Sequence, residues 1–147
     1  MQNAMIAIKG MQELDGLDNN TDELVTQGTY WHDGKTAKLT YLESELTGMD
    51  GTKTTVEIDK SRVSLTREGT VNASMVFELG RKHLFLYDTP FGAFTMGVST
   101  NSIKSKLTEK GGDLEIKCVV SMENSIVSRN TFKINVQTIS HQKGLPI

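Results

Sequence analysis

The sequence predicts an all-β fold, an antiparallel up-and-down barrel of about 8–10 strands closed on itself. Three observations carry this. Apolar and polar residues alternate with period 2 along most of the 147-residue chain. Turn residues interrupt the alternation at the roughly 8–12-residue spacing of meander strands. Ten strands in one open sheet would leave two exposed edges, which closure removes.

The strands are legible in order. Ala4 to Gln12 comes first, with Met5 opposite in phase to Ile6 and Ile8. Thr21 to His32 carries Leu24, Val25, Tyr30 and Trp31. Asp33-Gly34 then reads as a two-residue hairpin turn, since such turns need positive φ at both central positions. Lys38 to Leu46 sets Tyr41, Glu43 and Glu45 on one face and Leu42, Ser44 and Leu46 on the other. Neither face is purely apolar, the pattern of a barrel wall with a partly polar interior. Gly48 to Gly51 turns the chain into Thr54 to Asp59, where Thr54, Val56 and Ile58 point inward.

Val63, Leu65 and Arg67 share one face of the next strand. Glu68-Gly69 leads to Val71–Leu79, with Met75, Phe77 and Leu79 in phase, and Gly80 to Lys82–Tyr87. After the break at Thr89-Pro90-Phe91-Gly92, Phe94, Met96 and Val98 alternate cleanly. Asn101 to Lys110 allows a short helix near 102–110, with Ser102 as N-cap, Ile103 and Leu107 four apart, and Gly111 just past the end. A strand extension is the competing assignment. Leu114, Ile116, Cys118 and Val120 mark one further strand, and Phe132, Ile134 and Val136 the last. The tail from His141 to Ile147 reads as frayed.

Length fits a single domain over 1–147 with a proper core. With 16 basic and 18 acidic residues, the net charge of -2 argues against long-range attraction to nucleic acid or anionic membranes. The clusters Arg81-Lys82-His83 and Lys104, Lys106, Lys110 lack an aromatic platform and read as solvated surface. The N-terminus has no basic region followed by a long apolar one, so a cytoplasmic location is expected. The lone Cys118 excludes an intrachain disulfide and reads as a small buried hydrophobe. His32, His83 and His141 are far apart in sequence, so no metal is expected, and no dinucleotide or phosphate-loop fingerprint calls for a cofactor.

A succession of short motifs adds a family. Glu23-Leu24-Val25-Thr26-Gln27-Gly28-Thr29-Tyr30 precedes Tyr41-Leu42-Glu43-Ser44-Glu45-Leu46-Thr47-Gly48. Thr52-Lys53-Thr54-Thr55, Arg67-Glu68-Gly69, Tyr87-Asp88-Thr89-Pro90-Phe91-Gly92 and Ser99-Thr100 follow. From about Ile6 to Val136 this order resembles the YwiB-like family of small bacterial proteins of unknown function. The resemblance implies a calycin-type barrel, the architecture of lipocalins and fatty-acid-binding proteins, and no particular activity. One departure is Cys118, which stands near where the family leads one to expect a tyrosine after the Gly-Gly turn.

Arg67 is the informative polar residue. In phase with Val63 and Leu65, it points inside, where a guanidinium needs partners because an unpaired buried charge is costly. Glu43 and Tyr41 are the natural ones. The structural reading is an internal ion pair that fixes barrel register. The functional reading is a grip on a ligand acid group. Tyr41, Glu43, Arg67 and Tyr87 are accordingly the candidate ligand contacts, for a small amphipathic or anionic molecule in the lumen. The alternative is a filled barrel acting as an interaction module. It would be a homodimer, with Trp31 as a contact because adjacent Tyr30 and Trp31 face opposite ways. Glu43 and Glu45, roughly 7 Å apart on one strand face, have a spacing usable in glycosidic catalysis. Catalytic pairs usually come from different strands, so a non-enzymatic protein is the simpler expectation.

Overall fold

In a computed structural model, residues 1–13, 20–45, 49–59, 61–122 and 125–139 are described. They form one ten-stranded antiparallel sheet: β1 (Gln2–Glu13), β2 (Asn20–His32), β3 (Ala37–Leu42), β4 (Thr52–Ile58), β5 (Arg62–Gly69), β6 (Ala73–Glu78), β7 (Lys82–Thr89), β8 (Gly92–Thr108), β9 (Gly111–Met122) and β10 (Ser125–Thr138). Every strand pairs with its neighbour in sequence except β6 with β7, and β1 pairs with β10. The sheet curls until β6 and β7 meet, giving a nearly closed barrel. Their seam is held by the short connection between them, by a two-way backbone exchange of Asn72 with Asp88 (both N···O 2.9 Å), and by a bridge from Leu79 to Thr100.

The buried rows follow the predicted alternation. Ile6, Leu24 and Tyr30 point inward from the first two strands; Thr54, Val56 and Ile58 from β4; and Leu114, Ile116 and Cys118 from β9. Met5, Val25 and Trp31 stand on the outside, so the Tyr30–Trp31 pair divides as expected. The Tyr30 hydroxyl donates to the Thr108 carbonyl at the end of β8, at 2.7 Å.

Three local expectations change. The segment 102–110 is no helix: its first seven residues complete β8, pairing Ser102 with Lys117 and Ile103 with Ile116. Ile103 and Leu107 also fit period 2, and the long β9 offers a partner for residues 102–108. The hairpin at Asp33-Gly34 has a four-residue loop. Thr36 and Lys35 both donate backbone N–H groups to the Asp33 carboxylate (2.7 and 2.9 Å), so capping by the aspartate side chain replaces the tight turn. Leu79 leaves the inward phase of Met75 and Phe77 and lies exposed in the β6–β7 connection. Leu46 and the tail from His141 onward lie outside the described residues.

Candidate functional site

The polar interior forms at one level of the barrel, across three strands. Tyr41 of β3 is the register partner of Thr54 in β4, and Thr54 is the partner of Arg67 in β5. All three residues project inward, and Ala73, the partner of Arg67 on β6, is small enough to leave the guanidinium room. Glu43 follows just past the end of β3, where its N–H donates to the Thr52 carbonyl at 2.8 Å and holds it in phase with Tyr41.

The Glu43 side chain is only 2% exposed. Its Oε2 accepts the Thr54 hydroxyl at 2.5 Å and stands 3.8 Å from Arg67 Nε. That longer distance is a charge contact rather than a hydrogen bond. Arg67 Nε is buried and makes no hydrogen bond with any described residue. Leaving such a donor unsatisfied costs about 1–3 kcal/mol. Tyr41 completes the group. Burial, foremost, and then the Glu43 charge raise its phenol well above the usual range, while Arg67 opposes the shift. Tyr41 therefore stays a neutral donor, hydrogen-bonded to Glu43.

A cavity of about 90 Å³ lies against this group. Its walls are apolar, with Ile8, Val56, Leu65, Phe77, Ile116 and Phe132 among them, and Phe77 meets Phe132 edge to face at 6.1 Å between ring centroids. Tyr41, Glu43 and Arg67 supply the polar wall, and exposed Asp22 with half-buried Met49 forms part of the rim. An apolar pocket with a few convergent polar groups is the form small-molecule sites take.

Three of the four candidate contacts thus come together, and Tyr87 does not. It is half-buried on β7, opposite Phe94, and does not line this cavity. Glu45 is exposed while Glu43 is buried in an ion pair, so the two do not share an environment. Nothing in the local sequence around Asp22 and Met49 distinguishes a rim residue from ordinary surface. Cys118, in the β9 wall, has its thiol pushed up to about 12 by burial. Among the described residues no group of three or more His, Cys, Asp or Glu is placed to hold a metal, and no helix is long and apolar enough to cross a membrane.

The domain of unknown function DUF1934 matches residues 6–134, most of the chain. The chain belongs to this DUF1934 family. The fold is also that of the ywiB protein from Bacillus subtilis, whose crystal structure superposes with a TM-score of 0.83 over 95% of this chain and 93% of that one, at 24% sequence identity. No curated protein matches the chain. For a DUF1934 member, then, likeness supplies the architecture, and any activity must be argued from the residues in the lumen.

Proposed function

We propose that this protein binds a small amphipathic molecule in the barrel, with Tyr41, Glu43 and Arg67 as its polar contacts. The observation that carries this is the buried Arg67 Nε, which has no hydrogen-bond partner among described residues and sits beside a cavity. A ligand acceptor would satisfy it. The charges nearby favour an uncharged head over an anion. Glu43 already balances Arg67, and Asp22 adds a negative charge at the rim, so a carboxylate would enter against net repulsion. A carbonyl or amide oxygen would not. The cavity is small beside the ~150 Å³ void that holds a benzene ring, so it accommodates a head group or short chain rather than a whole fatty acid. The pairing of Glu43 with Arg67, and the separation of Glu43 from Glu45, support a binding role over acid–base catalysis.

Native mass spectrometry of protein purified from its own host tests this. A bound neutral adduct is expected in the wild type and absent in Arg67→Met. Thermal shifts with butyramide and butyrate, which differ in head charge, should favour the amide. Host-purified protein free of any adduct and indifferent to both compounds would sink the reading.

The second reading, an interaction module with a filled barrel, draws on the same small cavity and on the apolar side chains the barrel exposes.

A further inference from the structure

A group of exposed apolar side chains lies around the β7–β8 hairpin, away from the lumen site. Leu84 is 71% and Leu86 54% exposed on the outward face of β7, Phe91 is 95% exposed at the hairpin tip, and Leu79 is 48% exposed in the preceding connection. Trp31 is exposed as well, but its register partner on β3 is Lys38, and single surface aromatics are ordinary.

The outward row of β7 reads Lys82, Leu84, Leu86, Asp88, with a cation at one end and an anion at the other. Beside it, β8 presents Ser99, Gly97, Thr95 and Ala93, and β9 adds Ser121 next to Gly97. These are small and uncharged. Gly97 has no side chain where Lys82 and Leu84 lie across it: a Cβ there would come within 2.5 Å of Lys82 Cε and 3.5 Å of Leu84 Cδ2. The face is therefore low, with the Lys82 stem laid over Gly97 beside Leu84 and Asp88 at the far end of the row.

The outward row of β7 is also symmetric about Phe85, as are the exposed Leu79 and Phe91 beyond its ends. Leu84 and Leu86, Lys82 and Asp88, and Leu79 and Phe91 are each equally distant from it in sequence, and each pair is either apolar on both sides or opposite in charge. A two-fold dimer brings each residue of one copy to its mirror position on the other, so a self-complementary strip suits an isologous contact. From this the geometry points to a second copy of the chain as the occupant of this face. The two β7 strands would lie antiparallel, face to face, about a two-fold axis at Phe85. Leu84 then meets Leu86 of the partner subunit, Lys82 meets Asp88 of the partner subunit, and each Phe91 reaches toward Leu79 of the partner subunit. The apolar centre provides adhesion and the two charge pairs fix direction.

Sedimentation velocity over a concentration series tests this with the full chain. The wild type should approach twice the chain mass as concentration rises. Leu84→Asp, at an exposed position, should weaken association about tenfold or more. Lys82→Asp and Asp88→Lys should each weaken it, because each places like charges opposite each other twice. Mixed together, these two variants should recover association, since both cross-pairs are then opposite in charge. That recovery separates a two-fold contact from general stickiness and from misfolding. A wild type that stays monomeric throughout, a dimer indifferent to Leu84→Asp, or a mixture no tighter than the separate variants would overturn the proposal. Binding of wild type but not Leu84→Asp to phosphatidylcholine vesicles, with no dimer, would assign the face to lipid instead.

Discussion

Arg67 Nε stands 3.8 Å from Glu43 Oε2 inside the barrel, with their side chains 13% and 2% exposed. Removing one partner of a buried pair leaves the other uncompensated, which typically costs about 3–5 kcal/mol. Arg67→Met should therefore lower unfolding free energy by about 3 kcal/mol, with the Thr54 hydroxyl and Tyr41 left to stabilise Glu43. Glu43→Gln should cost less, since the amide can still accept from Thr54. The double variant should be more stable than the sum of the two losses predicts. Urea unfolding of all four proteins gives the coupling; strict additivity would show that the pair contributes nothing as a pair.

That pair was legible in the sequence because each member keeps the phase of an apolar strand: Arg67 with Val63 and Leu65, Glu43 with Tyr41. The same period gave the inward rows of β4, β9 and β10, where local alternation and final burial agree. What the sequence withheld is non-local. Phe132 and Ile116 reach the cavity only because β10 closes onto β1 and β9 follows it, which no local pattern records. Tyr87 has the right phase but sits at a different place in the wall. The stretch 102–110 fits both periods, and the choice was made by β9 offering backbone partners, a tertiary fact.

Gly28 marks where β3 leaves β2. Thr29 and Thr40 are paired, and beyond them the chain runs on along β4, through Tyr41 opposite Thr54 to Glu43 bonded to Thr52. A Cβ on Gly28 would lie 2.2 Å from the Thr40 carbonyl oxygen and 2.7 Å from Ile6 Cδ1. Backbone cannot yield as a flexible side chain does, so Gly28→Ala should destabilise by about 2 kcal/mol, as overpacked cores do. It should also displace Tyr41 and Glu43. Gly10→Ala is the control: its Cβ would meet only the Phe132 ring at 3.8 Å, an ordinary contact. Equal thermal midpoints for the two variants would refute this account of Gly28.

The seam between β6 and β7 should loosen in acid. Glu78, at the end of β6, accepts from His83 Nε2 of β7 at 2.9 Å and lies 3.4 Å from Arg62 and 3.8 Å from Arg81. The hydrogen bond from His83, above all, and the neighbouring guanidinium charges lower its carboxyl from the ordinary 4.5. A carboxyl depressed in the folded state stabilises fully above its unfolded value and loses that contribution as pH falls through the folded one. Protection of β6 and β7 amides against hydrogen exchange should therefore drop below about pH 4.5, ahead of β1 and β10. Those two strands lie on the opposite side of the barrel and are paired along both edges. Glu78→Gln should show the looser seam already at neutral pH and no further step in acid. A wild type whose β6 and β7 protection falls only with the global transition would show that Glu78 does not hold the seam.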